Sequence, residues 1–230
     1  VHIDIVYKTK LGIFYHADAI HVLKILKQKP KLIVTDPPYL INYSQWEKNY
    51  RAVTGDNPEN KKIVDILLSY AEKLREDGAL YCFCSWKTID IWKPEIDSVI
   101  PVKNVIIWSK NNWTMGDLGG QYAQKYEMII YAPKPKHKLY GKRETDIWEF
   151  KRVSPPRLHP AQKPEEIIEM ILLKSTKEGD LVVDPFAGSG TVAVVAERMG
   201  RRWFCVDIDE KACNIAKTRL SQGQLNLLFT

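Results

Sequence analysis

The sequence predicts an α/β fold built on a largely parallel sheet. Three observations carry that reading. Short apolar runs alternate with amphipathic stretches along the 230 residues, the pattern of repeated strand–helix–strand units. Loops with unusual chemistry follow directly on two of the apolar runs, at 35–39 and 184–191, as ligand loops do at the carboxyl ends of parallel strands. The composition is that of a globular chain, 45% hydrophobic, with no internal repeat and no low-complexity tract.

Residues 12–16 read as a first strand. The stretch 18–28 has apolar residues at Ala19, Val22, Leu23, Ile25 and Leu26, a helical stripe with Asp18 as its N-cap. Residues 31–35 form a buried strand that ends at Asp36. A helix over 63–74, closed by Gly78, precedes a strand at 80–84. Two further strands lie at 105–108 and 128–131. The composition then changes. A Pro/Lys stretch at 133–138 and four prolines in 154–164 neither continue helices nor sit inside sheets. Residues 132–162 therefore read as an irregular, basic excursion. Pro164 suits the first turn of a helix running to about 175. A strand at 181–184, a helix at 191–199 stopped by Gly200, a strand at 203–206 and a helix at 209–220 complete the chain. Its length fits one domain over 1–230.

Composition narrows the function classes. No apolar run approaches the roughly 20 residues that span a bilayer, and the first 15 residues lack a signal-peptide layout. A cytoplasmic location and no membrane partner are the expectation. The four cysteines are Cys82, Cys84, Cys205 and Cys213. They show no metal-ligand spacing and read as small buried hydrophobes, so neither a disulfide nor a metal is expected. The net charge is +6, and residues 103–163 hold 12 Lys or Arg against 5 Asp or Glu. The excess lies in that segment. It suits a polyanion docked by counterion release and, equally, a solvated basic loop.

The loop Asp184-Pro185-Phe186-Ala187-Gly188-Ser189-Gly190-Thr191 joins a strand to a helix. Its glycines allow a sharp turn and close approach to a ligand. Gly188-x-Gly190-x-x-Ala193 also fits a relaxed dinucleotide fingerprint. However, a carboxylate beside the loop disfavours a pyrophosphate and suits a cationic ligand such as a sulfonium. Asp207, after the next strand, can accept hydrogen bonds from both hydroxyls of a ribose in either kind of cofactor.

The loop Asp36-Pro37-Pro38-Tyr39 presents acceptors only. Two prolines stiffen it and remove two N–H donors, leaving the Asp36 carboxylate and the backbone carbonyls. That arrangement suits an amino group, which donates two hydrogen bonds. Tyr39 offers a face on which a base can stack. Two acceptors would draw the lone pair of an exocyclic base amine out of its ring, with no covalent intermediate and no nucleophilic Cys.

Together the two loops resemble the DNA amino-methyltransferases, whose D-P-P-Y loop is catalytic and whose F-x-G-x-G loop binds S-adenosyl-L-methionine. The catalytic loop comes first here, as in the circularly permuted β group. The N-P-P-Y glutamine methyltransferases of proteins differ in both order and first residue. His159-Pro160-Ala161-Gln162-Lys163-Pro164 looks like the family's H-P-x-Q-K-P segment, which lies near the methionine carboxylate. Tyr15-His16-Ala17-Asp18 looks like its G-D segment, whose Asp contacts the cofactor adenine. Trp108-Ser109-Lys110-Asn111-Asn112 and Tyr126-Glu127 resemble later motifs.

The resemblance implies a three-layer, Rossmann-like class I methyltransferase fold. Its seven-stranded sheet would have order 3-2-1-4-5-7-6, with strand 3 at 13–16, strand 4 at 31–35, strand 1 at 181–184 and strand 2 at 203–206. It implies a cofactor site of Ala17, Asp18, Asp36, Lys163, Asp184, Phe186, Ala187, Gly188, Ser189, Gly190, Thr191 and Asp207. It also places target recognition of double-stranded DNA in the basic excursion, about 112–162. Lys110, Lys125, Lys142, Arg143, Lys151, Arg152 and Arg157 would meet phosphates there. Trp113 and Tyr122, with Tyr140, Trp148 and Phe150, would meet bases. Asp at the first loop position favours adenine N6 in this family, and Ser favours cytosine N4. Dimers are frequent in the group, and a companion restriction enzyme is a further candidate partner. The rivals are a nicotinamide-dependent oxidoreductase, which leaves Asp36 to Tyr39 unexplained, and a catalytically silent DNA-binding module.

Overall fold

Strand β3 (Leu32–Thr35) is buried along its whole length, and so is β4 (Ala79–Cys84). Such uninterrupted apolar runs suit strands covered on both faces. In β4, Ala79, Tyr81 and Phe83 point into one apolar cluster, and Leu80, Cys82 and Cys84 into the other. Each large side chain so buried contributes roughly 1.5–3 kcal/mol. A computed structural model describes residues 2–41, 56–57, 60–113, 119–120, 122–152 and 162–228, with the side chains of 224–228 excepted.

The other strands are β1 (Ile3–Lys8), β2 (Gly12–Ala17), β5 (Asn104–Ser109), β6 (Tyr126–Pro133), β7 (Ile147–Glu149), β8 (Leu181–Asp184) and β9 (Arg202–Asp207). The described sheet has nine strands in the order β1-β2-β9-β8-β3-β4-β6-β5-β7. Its seven inner members, β2 to β5, reproduce the expected order 3-2-1-4-5-7-6. Helices α4 (Glu165–Ser175), α5 (Thr191–Arg198) and α6 (Glu210–Leu228) cover one face. Helices α1 (Ala19–Val22), α2 (Lys62–Glu72) and α3 (Ile89–Val99) cover the other. The three-layer reading holds.

Two local readings need correction, and two elements, α3 and β1, were not foreseen. The helix expected over 18–28 is the single turn α1. The connection from β2 to β3 must pass two intervening strands, roughly 14 Å sideways at about 4.8 Å per strand. With only residues 18–31 for both that crossing and the return to the lower edge, the chain spends part of its length in extended connection. Helix α3 contains Pro94, a residue that argues against a helix interior. Pro94 sits on the exposed side, where water can meet the carbonyl it leaves unpaired. Edge strands β1 and β7 add to the seven expected. Strand β7 lies inside the stretch read as irregular, paired parallel to β5.

Strand polarity decides what the chain presents where. Strands β2, β9, β8, β3 and β4 run parallel and end at one edge, the upper edge. Strand β6 is antiparallel to β4 and β5. Its start, at Tyr126 and Glu127, therefore joins the upper edge, and its end, at Pro133, lies at the lower one.

Candidate active site

The upper edge gathers the chemistry. Strand β3 delivers Asp36 to Tyr39, β8 delivers Asp184, β9 delivers Asp207, β2 delivers Ala17 and Asp18, and β6 delivers Glu127. The loop after β3 is held firmly. Thr88 Oγ1 donates to the Tyr39 carbonyl at 2.9 Å, and Ile41 N donates to Asp56 Oδ1 at 3.0 Å. Leu40, buried, has φ 62, a left-handed conformation that costs a non-glycine residue roughly 1–2 kcal/mol. Strain of this kind persists where surrounding contacts over-determine it.

Around this loop lies a charged cluster. Lys163 Nζ is 2.6 Å from Asp36 Oδ2, 3.1 Å from the Tyr39 hydroxyl and 3.1 Å from Glu127 Oε2. Tyr39 donates to Glu127 Oε2 at 3.0 Å, and Lys110 Nζ meets Glu127 Oε1 at 2.5 Å. Burial works to raise the Glu127 pKa, but Lys163 and Lys110 more than offset it and hold the carboxyl at about 2. Asp36 behaves otherwise. Burial pushes its pKa above the usual carboxylate value, with Lys163 opposing that rise. Its Oδ1 is shut off from solvent and has no hydrogen-bond partner among the described residues. A buried acceptor without a partner is costly and calls for a donor.

The glycine loop is built from below. Ala187 N donates to the Val206 carbonyl at 2.9 Å, and Gly188 N to Asp207 Oδ2 at 2.6 Å. Asp207 Oδ1 accepts from Asp209 N at 2.8 Å. Buried Arg219, on α6, donates to the Ser189 carbonyl, Ser189 Oγ and Thr191 Oγ1, and pairs with Glu165 at 2.8 Å. The side chains of Ser189 and Thr191 thus face the protein, most of the loop's backbone is bonded inward, and Phe186 and Gly188 are its partly exposed members. Gly188 has φ 52, and a Cβ placed on it would meet no atom within 4 Å. Gly190 has φ 74, and its Cβ would lie 2.8 Å from Ala216 Cβ. One glycine keeps the ligand side open, and the other lets α6 pack.

Asp184 does not present a free carboxylate. It is buried and accepts from Thr35 Oγ1 at 2.7 Å and from Phe186 N at 3.1 Å. Burial pushes its pKa up to about 7. Asp18 caps α1 by accepting from Ile20 N, and its other oxygen pairs with Lys62 at 2.7 Å. All four cysteines are buried free thiols. Burial pushes Cys84 and Cys213 up to about 12, so these two thiols offer no thiolate nucleophile near neutral pH. His2 just before β1, Asp4 on β1 and His16 on β2 lie within metal-ligand reach of one another. His2 and Asp4 are paired at 2.6 Å.

The expected DNA contacts separate by edge. Trp113 and Tyr122 are exposed on the upper side. Lys125 joins them, its carbonyl accepting from Lys110 N at 2.8 Å. Lys151 and Arg152 follow the upper end of β7, and Arg152 N donates to Asn111 Oδ1 at 3.0 Å. Lys142 and Arg143 do not belong with these. They sit at the lower edge, where Tyr140 N donates to the Lys174 carbonyl at 2.8 Å and Lys174 Nζ meets the Lys142 carbonyl. Tyr140 is at the same place, flanked by Lys31 and Lys177. Trp148 is buried and Phe150 packs against the core, so neither is free to meet a base. Lys110 is occupied with Glu127 rather than standing on the surface. Arg157 and the His159-Pro160-Ala161 part of the H-P-x-Q-K-P segment lie outside the described residues. Sequence reasoning missed Glu127 and Arg219 as site residues. Tyr126-Glu127 stood out as motif-like but without a role, and Arg219 carried no signal.

The strand order and the two upper-edge loops define a Rossmann-like class I methyltransferase. A family model described as DNA methylase matches residues 31–218, and the chain belongs to that family. It is 30% identical to the type II methyltransferase M2.LlaDCHI of Lactococcus lactis subsp. cremoris, over 94% of this chain and 92% of that protein. It is 25% identical to the DNA adenine methyltransferase YhdJ of Escherichia coli (strain K12), over 89% of this chain and 81% of that protein. The solved structure of the M1.HpyAVI–SAM complex superposes with a TM-score of 0.73 at 27% identity, covering 91% of this chain and 99% of that one.

Proposed function

We propose that this DNA methylase transfers a methyl group from S-adenosyl-L-methionine to the N6 amine of an adenine flipped out of double-stranded DNA. The observation that carries the reading is the buried Asp36 Oδ1, without a hydrogen-bond partner among the described residues, on a loop rich in acceptors. An exocyclic amine brings the donor that this oxygen lacks. Asp36 Oδ1 and the Pro37 carbonyl accept hydrogen bonds from the two N–H groups of the amine, Pro38 stiffens the loop, and Tyr39 stacks on the base. Aligned in this way, the nitrogen presents its lone pair without a covalent enzyme intermediate.

The residues present fit the cofactor. The open side of Gly188, the partly exposed Phe186, the second lone pairs on Asp207, and Ala17 and Asp18 at the end of β2 are matched to an adenosyl group. The cofactor supplies an electrophilic methyl on a sulfonium. Residues 1–230 act as one methyltransferase domain, with the upper-edge part of 112–162 reading the target. Adenine is preferred because Asp leads the catalytic loop and because the relative YhdJ is named an adenine enzyme. A homodimer and a companion restriction enzyme are carried as further proposals.

The test is direct. Unmethylated duplex DNA is incubated with the chain and labelled cofactor, digested to nucleosides and read by mass spectrometry. N6-methyladenine is expected, and Asp36→Ala should lower kcat by about 10²–10³-fold while cofactor binding persists. N4-methylcytosine instead would overturn the base assignment. No labelled nucleoside from the parent chain would overturn the enzyme assignment.

A further inference from the structure

The H-P-x-Q-K-P resemblance assigns Lys163 to the cofactor's methionine carboxylate, but the geometry points elsewhere. Its ammonium is buried against the catalytic loop, 2.6 Å from Asp36 Oδ2 and 3.1 Å from the Tyr39 hydroxyl. It also lies 5.4 Å from the centre of the Tyr39 ring and 5.2 Å from that of Phe83. Glu127 holds it from the far side at 3.1 Å, and Glu127 is itself held by Lys110. Two carboxylates and two ammonium groups thus form a closed, charge-balanced set beneath the loop. The outcome at Asp36 is asymmetric. One oxygen is engaged by Lys163, and the other is buried with no partner among the described residues.

We infer that Lys163 is the positioning residue of the catalytic loop: it anchors Asp36 Oδ2 as a counterion, so that Asp36 stays charged and Oδ1 is presented to the target amine. The inference rests on the proposed role of Asp36, and it gives Lys163 a task separate from cofactor binding. A carboxylate buried at this depth resists ionisation. The groups that face it are Lys163 and Tyr39, Glu127 on β6, Cys82 and Cys84 on β4, and Asp184 on β8, with Lys110 one step removed behind Glu127. Lys163 is the cation in direct contact. Without it, Asp36 would take up a proton at higher pH, and a protonated acid donates where the amine needs an acceptor.

The test compares Lys163→Met, Lys163→Arg and the double variant Lys163→Met/Glu127→Gln with the parent. The double variant restores charge balance if the single one folds poorly. Three quantities are read: cofactor Kd by calorimetry, kcat against pH, and the Asp36 carboxyl titration by ¹³C NMR, assigned with Asp36→Asn. In Lys163→Met the acid limb of kcat and the Asp36 titration should move up together by roughly 1–3 pH units, and in the double variant they should move up less, because the Glu127 charge that also raises Asp36 is gone. Lys163→Arg should restore both, and cofactor Kd should change little. An unmoved Asp36 titration, or a weakened Kd with an unchanged pH profile, would overturn the inference. The NMR readout needs no turnover. A chain that methylates nothing yet shows the shift would sink the proposed function, and with it the presentation of Oδ1 to an amine, and leave only the counterion role of Lys163.

Discussion

Asp184 shows what burial does to a single carboxyl. Thr35 and the Phe186 amide both donate to it, yet its pKa rises from the usual 3.8 to about 7. The folded state therefore binds this proton more tightly than the unfolded chain does. Ionising Asp184 opposes folding, so its contribution to stability falls as pH rises from about 4 to about 7. Asp184→Asn keeps an acceptor for both donors and removes the titration. Its urea midpoint relative to the parent should climb across that window, and a difference that stays flat would refute the assignment. Glu127 has the opposite sign. Its pKa is lowered from 4.5 to about 2, so its stabilisation is present above pH 4.5 and is lost as pH falls toward 2. At this scale the contiguous motifs were legible, because Asp36 to Tyr39 and Phe186 to Gly190 need only their immediate neighbours to be recognised. Glu127 was not, because its partner Tyr39 lies 88 residues away.

The β8–α5 loop is the element where sequence and packing meet most closely. Its two glycines look alike in sequence and differ in the fold. Alanine at Gly190 would meet α6 at 2.8 Å and adopt φ 74. That substitution should lower Tm, with left-handed strain alone costing about 1–2 kcal/mol. Alanine at Gly188 suffers similar strain but no clash. It should lower Tm less and weaken cofactor Kd more, because its methyl enters the open side of the loop. Thermal denaturation and calorimetry on both variants check the contrast, and equal effects on both quantities would refute it. Other elements were less legible. Helix α3 was not foreseen, and it tolerates Pro94 because that residue lies on the side that faces water. Helix α1 was overcalled, because the apolar stripe at 18–28 carries no information on how far sideways the chain must travel.

At the scale of the molecule, the antiparallel turn of β6 divides the basic excursion. The described residues 111–113, 122–125 and 150–152 lie at the upper edge with Asp36, and Pro133 to Arg143 lie at the lower edge. DNA engaged at Asp36 should therefore meet Lys151 and Arg152 and pass by Lys142 and Arg143. Substituting Lys151 and Arg152 together by Ala should reduce the slope of log K against log salt by about 2, at about 0.9 per phosphate contact. The same change at Lys142 and Arg143 should leave the slope as it was. Fluorescence anisotropy across a salt series checks this, and a loss at Lys142 and Arg143 would refute the division.

The sequence by itself determined the three-layer fold, the seven inner strands, the two loops and their order, and through these the family. Each is a local pattern or a short motif, and such signals are carried by neighbouring residues. Tertiary structure alone decided that Lys163 meets Asp36, that Asp184 is buried, that Ser189 and Thr191 turn inward onto Arg219, and which lysines share the edge with the active site. Those outcomes depend on strand polarity and on contacts across the sheet. Local spacing does not report either, because residues far apart in the chain become neighbours only once the sheet has assembled.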